Sequence, residues 1–258
     1  MVNTMVVPGG TYSGLFEHMM TQAHLLIAGA SGSGKSVLVN GLVTSCLYHS
    51  PFNDEDGRQF ILIDPKRVEL APYKNVPHCI GYASEPESMV AMLEAAMYIV
   101  EQRYKDMVER GLLKYDGSHV YVVIEELADL MLTNRRAVQP LIQRLCQLGR
   151  AANVSAIAVT QCPLVKVIPT EIKVNFDGIV ALRTRSAQDS RNIIGCTGAE
   201  NFPKYGKCMY HSPDFMRTQV CSIPMVSDEE KYRLIRHWEG QAKPKRAGLF
   251  GRIFKRGA

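Results

Sequence analysis

Five short stretches of the chain are almost wholly apolar: His24-Leu-Leu-Ile-Ala28, Phe60–Ile63, Val120–Ile124, Val154–Val159 and Gly178–Leu182. Runs this short, with no polar residue at every second position, predict strands buried on both faces, as in a parallel sheet. Between them the apolar positions recur every three or four residues. From Glu87 to about Arg110, Met89, Leu93, Ala96, Val100, Tyr104 and Met107 fall on one helical face. A second such face, Val138, Leu141, Leu145 and Leu148, predicts a helix from about Arg136 to Arg150. Strands alternating with helices build right-handed βαβ units. The expected class is therefore α/β, with a doubly wound, mostly parallel sheet. Late short strands are expected near Lys207–Tyr210 and Arg217–Ile223, before a last helix opened by a Ser227/Glu230 capping box.

The first apolar run leads into Gly29-Ala30-Ser31-Gly32-Ser33-Gly34-Lys35-Ser36, a complete G-x-x-x-x-G-K-[ST] pattern. The helical pattern Val37, Leu38, Val39, Leu42, Val43, Leu47 follows it, so strand, glycine loop and helix stand in the order the motif requires. The glycines let successive N–H groups and a helix N-terminus face a polyphosphate. Lys35 can then reach the β- and γ-phosphates and the Ser36 hydroxyl can take one Mg²⁺ position. Residues 29–37 are the expected nucleotide contacts, with ATP and Mg²⁺ as cofactors. Val122-Val-Ile-Glu125-Glu126 ends another strand in two acids. Glu125 stands where a Mg²⁺-side carboxylate is needed and Glu126 where a base would orient the attacking water. The competing reading of that acid pair is a charge match to the N-terminus of the next helix. Val159-Thr160-Gln161 places a polar pair at the end of the following strand, able to sense a γ-phosphate or simply to turn the chain.

Length and composition narrow the partners. With 258 residues, 46% apolar and 21% charged, the chain suits one large α/β domain. No stretch approaches the ~18 apolar residues of a membrane span, and the N-terminus has no basic-then-apolar leader pattern. The seven cysteines form no C-x-x-C pair, which favours reduced core thiols and a cytoplasmic setting. The net charge is +5, yet residues 243–258 hold six Lys/Arg and no acid, leaving −1 on residues 1–242. The expected division is a motor domain over 1–242 and a disordered basic tail over 243–258. That tail, with Leu249, Phe250, Ile253 and Phe254 among its cations, could equally touch nucleic acid or an anionic membrane surface.

Beyond the phosphate loop, five blocks in order resemble the FtsK/SpoIIIE family of motor ATPases. They are HLLIAGASGSGKS (24–36), LIDPKRVELAPYKNVPH (62–78), EQRY (101–104), VVIEELADLM (122–131) and GRAANVSAIAVTQCP (149–163). Asp189-Ser-Arg191, Gly198-Ala-Glu200 and the Gly206–Tyr210 segment extend the similarity to about residues 10–238. The resemblance implies a RecA-like P-loop NTPase domain that assembles as a homohexameric ring and drives DNA, double-stranded and without sequence preference, through its hole. It implies that Lys35, Glu126 and Arg150 are catalytic, with Arg150 a finger reaching a neighbouring subunit's ATP. Asp64, Lys66 and Glu69 would lie near the nucleotide or a subunit contact. Lys173 matches a DNA-facing loop position, and Lys166, Arg135 and Arg136 are further candidate DNA contacts. Three positions depart from the family pattern: Glu125 replaces an Asp, Cys162 an Arg, and Ala187 a basic residue.

The chain thus reads as one stripped motor domain, with neither anchoring segments nor a separate DNA reader. An ATP-driven DNA translocase of a mobile element, plasmid or phage, working in conjugative transfer or beside a membrane partner, is the first expectation. A protein-export ATPase and a slow, ATP-switched assembly protein are the alternatives.

Overall fold

The computed structural model describes residues 13–49, 57–161 and 168–241. Its frame is an eight-stranded sheet in the order β3-β2-β4-β5-β1-β6-β7-β8. The strands are β1 (Leu25–Ala28), β2 (Arg58–Ile63), β3 (Cys79–Ala83), β4 (His119–Ile124), β5 (Val154–Thr160), β6 (Gly178–Ala181), β7 (Lys207–His211) and β8 (Gln219–Ser222). The first six pair parallel, and β7 and β8 join antiparallel at one edge. All five strands read from apolar runs are present. β3 is a further strand, on the outer edge, and its middle residues are only half-buried.

Alternation along each buried strand divides its residues between two cores. Leu26, Ile61, Ile63, Val122, Ile124 and Ala156 pack on one face, with α3 (Pro86–Arg110) and α4 (Leu127–Leu148). Leu25, Ile27, Phe60, Leu62, Val123 and Val159 pack on the other, with α1 (Ser13–Met20), α2 (Lys35–His49) and α7 (Asp228–Glu239). Each fully buried Leu, Ile or Val contributes about 1.5–3 kcal/mol, so the doubly covered strands carry most of the stability. The short α5 (Thr170–Lys173) leads into β6, and α6 (Ala187–Ile194) covers β6 and β7. Ser227 accepts from the Glu230 N–H at 3.2 Å, one half of the expected capping box, and opens α7.

One helix boundary differs from expectation. The helix expected from Arg136 starts at Leu127, directly after the two acids, and passes through non-helical geometry at Asn134. Leu127, Ala128, Leu130 and Met131 are buried against the sheet and hold this first segment helical. Arg135 and Arg136 are exposed just past the kink. Residues 243–258, Lys166 and Cys162 lie outside the described residues. Among those described, no helix is long and apolar enough to cross a membrane.

Two imidazoles are folded into this frame. His24 accepts the Ala156 N–H at 3.0 Å through Nδ1. His119 meets Ser155 Oγ at 2.8 Å and stacks on Tyr121, ring centres 4.1 Å apart. Burial pushes His24 down to about 4, helped by the Arg150 charge, and pushes His119 down to about 3. Both are neutral in the fold, so as pH falls below the ordinary value of 6.5 the unfolded chain takes up protons that the folded chain refuses. Stability should therefore decline as pH drops from about 6.5 towards 4. Denaturant titrations at pH 7.0, 5.5 and 4.5 should show that decline, and a shallower one in His119→Gln. Equal slopes for the two proteins would remove His119 as a contributor.

Candidate functional site: a phosphate loop facing two buried carboxylates

The loop of residues 29–34 joins the end of β1 to the start of α2. Gly32 (φ +69°) and Gly34 (φ +96°) adopt backbone angles that side chains disfavour, and with them the loop curls back on itself. It is tied to both neighbouring strands: the Ala30 N–H donates to the Arg183 carbonyl at 2.9 Å, and the Gly29 N–H to Thr160 at 3.4 Å. Lys35 is buried and its ammonium donates to the Gly29 and Ala30 carbonyls at 2.9 and 2.8 Å. Burial pushes this ammonium down to about 8, against the opposing pull of Glu126 and Glu125. Ser31 and Val37 are exposed and Ser36 is half-buried at the rim.

Parallel pairing brings the acids to the same edge. Ile124 of β4 is in register with Ala158 of β5, and Ala28 of β1 with Thr160 of β5. Glu125 and Glu126 follow β4 and are both buried. Glu126 occupies the residue before α4 but does not cap that helix; its Oε1 accepts the Gln161 N–H at 3.1 Å. Glu126 is thus turned toward the end of β5 and not spent on the helix N-terminus. The Thr160–Gln161 end supplies a backbone donor that orients Glu126.

The block of residues 64–70 takes a role that the sequence left open. Its Asp64 is fully buried and accepts from the Leu70 and Ala71 N–H groups at 2.9 and 3.3 Å, closing the loop after β2. Within it, the Arg67 N–H bonds the Asp64 carbonyl at 3.1 Å, a turn with Pro65 and Lys66 at its centre. Lys66 is thereby aimed at the acids, with Nζ 3.3 Å from Glu125 Oε2 and 3.6 Å from Glu126 Oε2. Burial raises the Glu125 carboxyl, and Lys66 opposes that shift. Glu69 approaches Asn40 Nδ2 at 3.5 Å, and Asn40 donates to the Ser36 carbonyl at 2.8 Å. The whole block therefore supports the phosphate loop and its acids.

The metal expectation can be tested on the same atoms. Glu125 Oε2 is buried and faces only the Lys66 ammonium, at 3.3 Å, and the Ser36 hydroxyl with one carboxylate is the hard-oxygen set that suits Mg²⁺. Among the described residues no cluster of three or more His, Cys, Asp or Glu could hold a metal unaided. Mg²⁺ at phosphate sites takes only one or two protein ligands and leaves the rest to phosphate and water, so the residues fit it.

Arg150 lies elsewhere. It sits on the turn from α4 into β5, its side chain 78% exposed, with Asp177 at 3.9 Å. β5 runs seven residues from this edge to the edge holding the phosphate loop, about 23 Å at 3.3 Å per residue. No arginine side chain spans that, so Arg150 cannot reach the nucleotide loop of its own chain. Residues of the EQRY block build its seat. Arg103 is buried, donates to the Ala152 and Asn153 carbonyls at 2.9 and 2.8 Å, and lies 4.3 Å over the Tyr115 ring. Tyr104 donates to the Leu148 carbonyl at 3.2 Å.

Of the candidate DNA contacts, Lys173, Arg135 and Arg136 fall among the described residues. Lys173, expected on a loop, ends the one-turn helix α5; its ammonium is half-buried and donates to the Asn192 carbonyl. Arg135 and Arg136 stand on the α4 kink, Arg135 donating to Gln139 at 3.0 Å.

The Lys66 bridge has a measurable consequence. Lys66→Met should lower stability at neutral pH by about 1–3 kcal/mol, the usual cost of stranding a buried polar partner. Most of that loss should vanish in a Glu125→Gln background. Fully additive losses in thermal denaturation would show that Lys66 does not support the acids.

Residues 12–121 match the sequence profile of the FtsK/SpoIIIE family. The DNA translocase FtsK of Chlorobaculum tepidum is 36% identical over 253 residues, covering 90% of this chain and 31% of that protein. The FtsK of Oceanobacillus iheyensis is 34% identical over 240 residues, 85% of this chain and 30% of that protein. The chain therefore spans just under a third of the length of these curated relatives. Among solved structures, the conjugation coupling protein TcpA of pCW3, in monomer form with ATPγS, superposes with a TM-score of 0.71 at 20% identity. That likeness covers 83% of this chain and 64% of TcpA. The cytoplasmic domain of the type VII secretion ATPase EccC of Thermomonospora curvata gives 0.72 at 18% identity, over 88% of this chain and 29% of EccC. These likenesses show a P-loop ATPase fold, and residues 12–121 carry the sequence pattern of the FtsK/SpoIIIE family, to whose named members the chain is similar at 30–36% identity.

Proposed function

We propose that this chain is the motor domain of an ATP-driven DNA translocase, acting in the cytoplasm as a ring of identical subunits. The relatives at 30–36% identity are named DNA translocases, and that activity is carried to this chain here as a reading. The observation that supports it most directly is the split of the catalytic set between two edges of one sheet. Lys35, Ser36, Glu125 and Glu126 gather at one edge, and the exposed Arg150 stands at the other. A set divided in this way is completed by a neighbour's arginine.

In the bound state Lys35 leaves its two carbonyl partners for the β- and γ-phosphates, a move favoured because its buried charge gains a compensating anion. Ser36 and Glu125 would hold Mg²⁺, which neutralises charge on the triphosphate. Glu126, oriented by the Gln161 N–H, positions the attacking water and accepts its proton. The guanidinium of Arg150 meets the charge that develops on the γ-phosphoryl oxygens of the adjacent site. The half-buried Lys173 leaves DNA grip to Arg135 and Arg136, whose exposed position suits sequence-independent phosphate contact.

An ATPase assay with and without duplex DNA tests the whole reading. Duplex should raise turnover several-fold, and Lys35→Ala should abolish it. Glu126→Gln should bind ATP normally and hydrolyse it about 10²–10⁴-fold more slowly. Arg150→Ala should lose about 10³-fold in rate with little change in affinity. Mixing Arg150→Ala with Lys35→Ala subunits should restore activity above either variant alone, because sites with both residues then form between unlike neighbours. Stimulation by an exported polypeptide, and none by DNA, would overturn the cargo in favour of protein export. No recovery on mixing would remove the finger in trans.

A further inference from the structure

Lys204 and Tyr205 stand on the connection from the short 3₁₀ helix Ala199–Asn201 to β7. Both are exposed, the Tyr205 ring at 56%, which is unusual for an aromatic side chain with no core to cover. The connection touches the phosphate loop at two places. A methyl group on Gly34 would lie 3.6 Å from Tyr205 Cδ1, and one on Gly32 would lie 3.5 Å from Lys204 Cε. The Lys204 ammonium is 5.0 Å from the centre of the Tyr205 ring. Gly206 follows at φ +86° and turns the chain into β7, where its carbonyl accepts from the Ile223 N–H at 2.9 Å. The pair is therefore held on the rim of the phosphate loop by a fixed turn.

Sheet order gives the triphosphate a direction. β5 and β4 lie on one side of β1, and β6 and β7 on the other. Glu125, Glu126 and Gln161 all belong to the first side, so the γ-phosphate has to face them. A nucleotide lying along the loop then carries its base out over the β6–β7 side, where Tyr205 stands. A flat aromatic surface beside a cation is what a nucleobase next to phosphates calls for: the ring stacks and the ammonium neutralises.

We propose that Lys204 and Tyr205 form the base-side wall of the nucleotide site, Tyr205 stacking on the purine and Lys204 pairing with phosphate charge. This rests on the reading of residues 29–36 as an ATP site. Titration calorimetry of the full chain with ATP and, separately, with inorganic tripolyphosphate tests it. Tyr205→Ala should weaken ATP by about 5–150-fold, the range for loss of one base–aromatic stack. It should leave tripolyphosphate unchanged, and Tyr205→Phe should bind ATP as the wild type does. Lys204→Ala should weaken both ligands. Wild-type ATP affinity in Tyr205→Ala would overturn the stacking. An equal loss for ATP and tripolyphosphate would overturn it too, by showing that the ring only props the loop. Unchanged binding in Lys204→Ala would remove the lysine. Failure of the underlying ATP site looks different: Lys35→Ala would then bind as well as wild type, whatever Tyr205 does.

Discussion

Everything chemical in this chain depends on the parallel register of β2, β4, β5 and β1. Parallel strands end together, so Ile63, Ile124, Thr160 and Ala28 deliver Asp64, Glu125, Gln161 and Gly29 to a single edge. Strands in a sheet are about 4.8 Å apart. With β5 inserted between β1 and β4, the phosphate loop and the acids are roughly 10 Å apart, two strand spacings. That gap has room for a terminal phosphate and one water between them. It also makes Gln161, at the end of the intervening strand, the natural group to hold Glu126 in place.

The register that assembles one edge also excludes Arg150 from it. Helix α4 starts next to Glu126 and ends just before Arg150, covering 22 residues, about 33 Å at 1.5 Å per residue. One helix thus begins beside Glu126 and ends beside Arg150, joining the two edges of the sheet. Arg103 and Tyr104 fasten the far end through backbone carbonyls, tying the Arg150 turn to α3. The non-helical Asn134 interrupts α4 between its two ends.

The strands were legible because they are doubly buried, and burial on both faces leaves nothing but apolar residues to read. The edge strand β3 escaped because Ile80, Gly81 and Tyr82 are half-exposed and give no continuous run. The start of α4 escaped because two acids and the polar stretch Thr133–Arg136 interrupt its apolar period at the kink. Of the site, the loop and both acids stood out because local sequence imposes their chemistry. Lys66 was placed near the nucleotide only through the family resemblance, and its role stayed open, since it meets Glu125 across 59 residues of chain and no local pattern encodes that pairing. Tyr205 and Lys204 were silent for the same reason. A residue aimed by a turn from a distant segment leaves no periodic trace.

The charges gathered at the loop explain why contacts beyond it matter. Without nucleotide, Lys35 and Lys66 stand against Glu125 and Glu126, two cations against two buried acids, so the pocket offers little net attraction to an anion. Lys66 is already committed to the acids at 3.3 and 3.6 Å, and Lys35 loses part of its charge affinity to burial. A metal–triphosphate remains anionic overall, so its affinity must come from the backbone N–H groups of the curled loop and from cations outside the acid cluster. Any metal seated on Glu125 also competes directly with Lys66 for the same carboxylate. The loop sequence alone specifies a phosphate cradle; Lys66, on the turn after β2, holds the acids behind it.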